Sequence, residues 1–362
     1  MSRRARGRGA TGGAFSTGAD PAILWAMGRA EAMPDAATGH AGPMRVPPLA
    51  RSPVPLIAAG EAAAAGLRVR DDAAHARVRP GFYAPRDAWA RLDPWDRYLA
   101  RVHAFHRRHP DAILTLESAA AMMRLPVFGE PRDIHVYDPQ RTRSRRYGDV
   151  FVHTSNDAKT VVRRGGVLLT DTAVTVIDLM RVLPPAFGLA VADAAVSPRA
   201  AHAASVGMLR DIAVAGADRR GRARLALLLP LIDARSESAG ESVSRAVMLW
   251  LGYEEPEPQV AFTGEGAQDR VDFFWRRASV IGESDGYGKY VGGDVVARVV
   301  DEKRREDRLR RQVRAFARWD WAATLGVAPL DQRLAAAGVP RVRATQTLLL
   351  ATLRHNPRSL TR

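Results

Sequence analysis

Arg270-Val-Asp-Phe-Phe-Trp275, then Ala278-Ser-Val-Ile-Gly-Glu-Ser-Asp285 and Gly286-Tyr-Gly-Lys-Tyr290, is the stretch whose reading decides the fold. Both apolar runs are of strand length, and Arg276-Arg277 falls between them, so an antiparallel strand pair is expected. That pairing brings Asp272 and Glu283 toward one edge. Side chains alternate along a strand, which puts Glu283 and Asp285 on one face and Ser284 on the other. Asp272, Glu283 and Asp285 are therefore expected to surround one site of Mg²⁺ (or Mn²⁺) size, with Lys289 the nearest cation in the following turn. Such an ion polarises a phosphoryl oxygen, acidifies bound water and neutralises a leaving oxygen. A lysine beside it can position the water or stabilise the pentacoordinate state. The alternative is an acidic turn neutralised by Arg270, Lys289 and Arg305.

Upstream, Glu241-Ser-Val-Ser-Arg245-Ala-Val-Met-Leu-Trp-Leu-Gly252 reads as an amphipathic helix closed by glycine, with Val243, Val247, Met248 and Leu251 on one stripe. Glu241 in the first turn suits the helix dipole, and Arg245 one turn on is placed to pair with it. A catalytic Glu241 and a helix-end salt bridge both remain open.

The 362 residues carry 54 Lys+Arg against 39 Asp+Glu, a net charge of +15, which favours a polyanionic partner. Nearly all of the excess is arginine, whose guanidinium grips phosphate bidentately, although GC-rich coding also enriches arginine. Cysteine is absent, which excludes disulfides, thiolate zinc sites and cysteine nucleophiles. No apolar run spans a membrane, since Leu225 to Ile232 is broken by Pro230. A cytoplasmic protein without a membrane partner is expected.

Residues 1–53 are rich in Gly, Ala and Pro and are expected to be disordered, or to follow from a misassigned start. Residues 54–92 suggest a degenerate winged helix: a short helix over Leu56–Ala65, then a hairpin through Pro80-Gly81 carrying Arg79. Asp93-Pro94 opens a longer helix whose His103, His106 and His109 read as a basic, solvated face rather than metal ligands. Arg141, Arg143, Arg145 and Arg146 fall between the strands Asp133–Tyr137 and Val150–His153, as solvated charge or as a clamp for a phosphate backbone. Asp178 and Arg181 are expected to pair along a helix. The polar run Asp233–Gly240 marks a joint, so residues 93–230 form one α+β domain, 238–325 a second domain and 326–362 a tail.

The series Glu241-Ser-x-Ser-Arg245, Arg270-Val-Asp-Phe, Gly282-Glu-Ser-Asp-Gly-x-x-Lys-Tyr290 and Glu302-Lys-x-Arg-Glu-Asp307, with Val313–Trp319 as a late strand, resembles an uncharacterised actinobacterial domain. That domain is similar to the very-short-patch-repair endonucleases of the PD-(D/E)xK fold. The resemblance implies an α/β endonuclease domain with Asp272 as the metal-binding aspartate, Glu283 as the acidic residue of the (D/E)xK element and Glu241 at the helical acidic position. Asp285 stands where that motif has lysine, which leaves the lysine's role to Lys289 or Lys303.

Gly81-Phe-Tyr83, Ser118-Ala-Ala, Leu125-Pro126, Ile134-His-Val136, Val152-His153, Leu169-Thr170 and Thr175-x-x-Asp-Leu-x-Arg181 resemble the AbiEi family, the antitoxin half of abortive-infection toxin–antitoxin pairs. This resemblance implies DNA binding through an N-terminal winged helix, and a cognate toxin as a possible partner. The chain is thus expected to be α/β (α+β), with DNA as its partner through Arg79, Arg141, Arg143, Arg145, Arg146, Arg276 and Arg277. A metal-dependent DNA endonuclease in phage defence or repair is the leading expectation. A non-catalytic DNA-binding regulator is the alternative.

Overall fold

The computed structural model describes residues 48–199, 204–285 and 295–360, and they form a mixed α+β structure. It begins with β1 (Ile57–Ala58), α1 (Ala59–Ala64), β2 (His75–Arg79) and β3 (Phe82–Pro85), an antiparallel sheet in the order β1-β3-β2. Gly81, at φ +82°, makes the reversal between β2 and β3 that a side chain would strain. Val54, Val78, Phe82 and Ala84 bury one face of this sheet against Ala100 and Ala104. Only the six-residue α1 lies between β1 and β2, too short for a helix that fills a major groove.

α2 (Arg86–Ala90) leads to α3 (Pro94–Arg108), whose proline occupies the first turn, where the missing N–H costs nothing. The histidines of α3 do not form a solvated face. His103 Nε2 lies 2.9 Å from the Ala50 carbonyl, and His109 is buried against the Phe105 ring. Burial lowers the pKa of all three, His109 to about 4, and at His103 the chain before β1 folds back over the helix.

The central sheet comprises β4 (Ile113–Leu114), β5 (Ile134–Tyr137), β6 (Arg145–Tyr147), β7 (Val150–His153), β8 (Val161–Arg164) and β9 (Val167–Thr170), in the order β6-β7-β5-β4-β9-β8. β5 and β7 run parallel, and β6 is the antiparallel edge strand, so the arginine run is no simple hairpin tip. α4 (Leu116–Met122), α5 (Thr172–Val182), α6 (Pro185–Val196), α7 (Val206–Ala215) and α8 (Arg222–Leu228) complete this region. Asp171 caps α5 by accepting from the Ala173 amide. Asp178 pairs with Lys159 rather than Arg181, which reaches Asp218 at 3.5 Å.

The C-terminal unit runs α9 (Ala239–Leu251), β10 (Glu257–Gly264), β11 (Ala267–Trp275), β12 (Val280–Asp285), α10 (Val295–Arg310) and β13 (Ala315–Asp320). Its sheet has the order β10-β11-β12-β13, antiparallel except for the parallel pair β12–β13. Glu265 and Gly266 both have positive φ, as the twist of a tight hairpin between β10 and β11 demands. Gly282 has a packing reason: a Cβ there would lie 2.7 Å from Trp319 and 2.9 Å from Trp275.

The expected joint is no open linker. α9 packs on α6, and every residue from Glu241 to Leu251 is buried, because α6 covers Ser242 and Arg245 while Thr324 and Trp319 cover Ser244. Arg245 pairs with Asp193 at 3.0 Å and not with Glu241; the two side chains are 2% and 0% exposed. One apolar core runs from Tyr98 and Leu114 through Val191 to Trp250, Phe273 and Trp319. α11 (Trp321–Gly326) follows β13, and the stretch read as a tail forms α12 (Ala328–Ala336) and α13 (Thr347–Ala351). It then returns to the central sheet, where Ser359 bridges Pro131 and Arg358 grips Glu117 bidentately.

Candidate functional site

The β11–β12 register pairs Trp275 with Val280, Phe274 with Ile281 and Phe273 with Gly282. Asp272 and Glu283 are the next residues along each strand, so the pairing ends at the two carboxylates. Asp272 Oδ2 accepts from the Ser284 amide at 2.8 Å. α9 brings in the third acid: Ser238 caps the helix by accepting from the Glu241 amide, and Glu241 Oε2 accepts from the Glu237 amide at 2.9 Å and from Gln259 Nε2 at 2.8 Å. Glu241 and Glu283 are both buried.

Electrostatics ties the three together. Burial, and then the Asp272 charge, push Glu283 up to about 7, although Arg305 Nη2 donates to it at 2.9 Å. The same two causes, in the same order, hold Glu241 above its ordinary range. Asp272 is therefore the common neighbour of two carboxylates that resist ionisation.

This grouping corrects the expected one. Asp285 is not the third member: it is partly exposed and pairs with Arg318 at 3.4 Å. Parallel pairing of β12 with β13 sets Glu283 opposite Arg318 and Asp285 opposite Asp320, and Arg318 also reaches Glu302 and Glu306. Lys289 lies outside the described residues, and Lys303 is exposed on α10. Among the described residues, no three or more His, Cys, Asp or Glu side chains are placed to hold a metal ion. Mg²⁺ is commonly held by one or two carboxylates completed by water and substrate phosphate, and Asp272 with Glu283 fits that donor set in kind. Of the expected neutralising partners, Arg305 holds Glu283 while Arg270 pairs with Glu237. Gln259 escaped the sequence reading; its backbone sits at φ +57°, and no pattern along the chain signals that.

The arginines expected to meet DNA divide sharply. Arg79 is buried, donates bidentately to Asp149 at 3.0 and 2.8 Å and lies over the Phe105 ring; β2 turns it inward, so it is no surface contact. Arg146 pairs with Asp133 at 2.7 Å, and Arg141 donates to the Tyr147 hydroxyl at 2.8 Å. Arg145 lies over that same ring, and Arg143 is exposed. Arg276 grips Glu257 bidentately, whereas Arg277 is 87% exposed with Glu254 3.9 Å away.

A cavity of about 630 Å³ lies not here but beyond the C-terminal end of β7, between the 154–160 loop, α5 and the end of α7. Its Lys159–Asp178 and Arg181–Asp218 pairs neutralise one another, so it adds nothing to the carboxylate chemistry.

No family model matches the chain, and no solved structure does. It is similar to uncharacterized proteins of two Mycobacterium tuberculosis strains, CDC 1551 / Oshkosh and ATCC 25618 / H37Rv, at 35% identity over 182 residues. The match covers 49% of this chain and 63% of each relative, so the chain spans less than two thirds of their length.

Proposed function

We propose that the C-terminal unit is a metal-dependent DNA endonuclease of the very-short-patch-repair-like, PD-(D/E)xK type, attached to an AbiEi-like region that meets DNA. The observation that carries this reading is the meeting of Glu241, Asp272 and Glu283, from one helix and two strands, with two of them held above their ordinary pKa. Crowded like charges in a buried place are unfavourable unless a cation or protons compensate them. The order α-β-β-β-α-β, with a parallel last strand pair, gives the α/β unit that this reading requires.

When bound at Asp272 and Glu283, Mg²⁺ or Mn²⁺ would supply Lewis acidity and a more acidic water. The chain's own residues do the rest. Ser284 orients Asp272 through its amide, Gln259 fixes Glu241, and Arg305 keeps Glu283 directed at the cluster while partly compensating its charge.

The test is plasmid nicking with Mg²⁺ or Mn²⁺ against chelator, for wild type, Asp272→Asn and Glu283→Gln. Nicking that vanishes with chelator and in both variants supports the enzyme. Metal-dependent nicking that survives in both variants removes these residues from the chemistry.

A second reading, a non-catalytic DNA-binding regulator with a cognate toxin, has its own support. Arg305 and Arg318 already neutralise Glu283 and Asp285, and Asp285 occupies the lysine position of the motif. Chelator-insensitive binding of duplex DNA without any nicking selects that reading.

A further inference from the structure

Where the ends of α4 and α6 meet the start of α9 there is a second cavity, of about 280 Å³. Its wall includes Arg124, Arg199, Ser236, Glu237, Ser238 and Ala239. The other serines nearby are occupied: Ser238 Oγ accepts from the Glu241 amide, Ser242 bonds to Asp193, and Ser197 Oγ accepts from the Arg199 amide at 3.4 Å. Ser236 differs. It is 4% exposed, and its Oγ finds no hydrogen-bond partner among the described residues. A buried hydroxyl without a partner is rare enough to require an explanation.

Charge indicates what would satisfy it. Two guanidiniums, Arg199 at 2.5 Å and Arg270 at 2.6 Å, share the single Glu237 carboxylate, and Arg124 adds a third. The thirteen-residue α9 directs the positive end of its dipole at the same place. Arg124 is also held at φ +61°, as the left-handed cap of α4: its amide bonds to Ala121 O and the Leu125 amide to Ala120 O. Glycine is the residue such a cap favours, so an arginine there implies a use for its side chain.

We infer that this cleft binds a phosphate group of a nucleic-acid backbone, through Ser236 Oγ, Arg124 and the first turn of α9. The inference rests on the nucleic-acid reading above and gives it a place. Gly240, in that first turn, would set a Cβ 3.4 Å from Ser284 Oγ, and the Ser284 amide holds Asp272. Cleft and carboxylates thus share one end of the C-terminal unit. A phosphate seated in the cleft anchors the strand while a neighbouring stretch reaches Asp272 and Glu283.

The experiment is fluorescence anisotropy of a labelled DNA duplex with the full chain in chelator, over a salt series, so that binding is read without turnover. The variants are Arg124→Gly, Ser236→Ala and, as a control on an exposed arginine outside the cleft lining, Arg210→Ser. Arg124→Gly should weaken binding about tenfold and lower the log–log salt slope by about one. Its melting temperature should not fall, because glycine suits the backbone better. Ser236→Ala should weaken binding several-fold with the slope unchanged, since no charge is lost. Wild-type binding that is absent, or that Arg124→Gly alters no more than Arg210→Ser does, overturns the inference. Nicking measured separately keeps the two proposals apart. Loss of binding in Arg124→Gly with nicking indifferent to Asp272 leaves the cleft standing alone. Nicking that needs Asp272 but not Arg124 leaves the enzyme standing alone.

Discussion

Glu117 and Glu283 are buried to the same degree, 3% and 4% exposed, and their carboxyls shift in opposite directions. Burial pushes both up. At Glu117, the bidentate Arg358 and neighbouring His135 outweigh it and hold the group down at about 2. At Glu283, Asp272 adds to burial, and the guanidinium that bonds to it is divided: Arg305 also serves Glu302 and the Arg270 carbonyl, while Arg318 acts on it only through space, so the carboxyl rises to about 7. The helix α4 beside the central sheet thus carries a closed ion pair, and the C-terminal unit a carboxylate whose counter-charge is incomplete. Depth alone does not mark a reactive acid; an undersupplied counter-charge does.

The largest effect should come from breaking the closed pair. Arg358→Ala leaves Glu117 buried with the His135 ring, 3.3 Å away, in place of a full counter-charge, and should destabilise the chain by about 3–5 kcal/mol in urea or thermal unfolding. It should also loosen the C-terminal segment from the central sheet, read as faster amide exchange around Ser359. Arg305→Ala should cost far less, because Glu283 can take up a proton instead. Equal losses in the two variants would erase the distinction between the regions.

A medium effect follows from pH, with opposite signs. Both acids have an ordinary value of 4.5. Glu117, depressed, contributes stability above pH 4.5 that is lost as pH falls toward 2. Glu283, raised, contributes stability below pH 4.5 that is lost as pH rises through 7. Glu283→Gln should therefore raise the melting temperature at pH 8 and change it little at pH 4.5, while Glu117→Gln should lower it at pH 8. Asp272→Asn removes the like charge, so it should bring the Glu283 titration below 7 by carboxyl NMR. A Glu283 signal that stays put would detach Asp272 from the shift.

What could be read along the chain follows from how far apart the partners lie. The strands around Asp272 and Glu283, and the helix bearing Glu241, are local patterns of apolar spacing and capping, legible within a dozen residues. Partners distant in sequence were not legible. Arg79 meets Asp149, Arg245 meets Asp193, and Arg358 meets Glu117, each pair brought together only by packing. Asp285 was misgrouped for a related reason: strand alternation places it correctly beside Glu283, but Arg318 on β13, which draws it away, belongs to a strand beyond the next helix. A buried α9 looked amphipathic because Ser242, Ser244 and Arg245 find polar partners inside, in Asp193, Thr324 and Trp319.

The smallest effect concerns the exposed arginines, and it tests whether the comparison extends to the surface. Arg277, 87% exposed and 3.9 Å from Glu254, and the exposed Arg143 are screened by water and salt, so neither should support the fold. Arg277→Ser and Arg143→Ser should each change unfolding free energy by less than about 0.5 kcal/mol. If either touches phosphate, its loss should lower the log–log salt slope of duplex binding by about one with stability intact. Arg276, gripping Glu257 bidentately, is the matched contrast: its charge is already taken, so Arg276→Ser should leave that slope closer to wild type. A slope that drops equally for Arg276 and Arg277 would mean that surface pairing does not decide which guanidiniums reach a phosphate. The rule drawn from the buried glutamates, that an incompletely matched charge is the available one, would then stop at the solvent boundary.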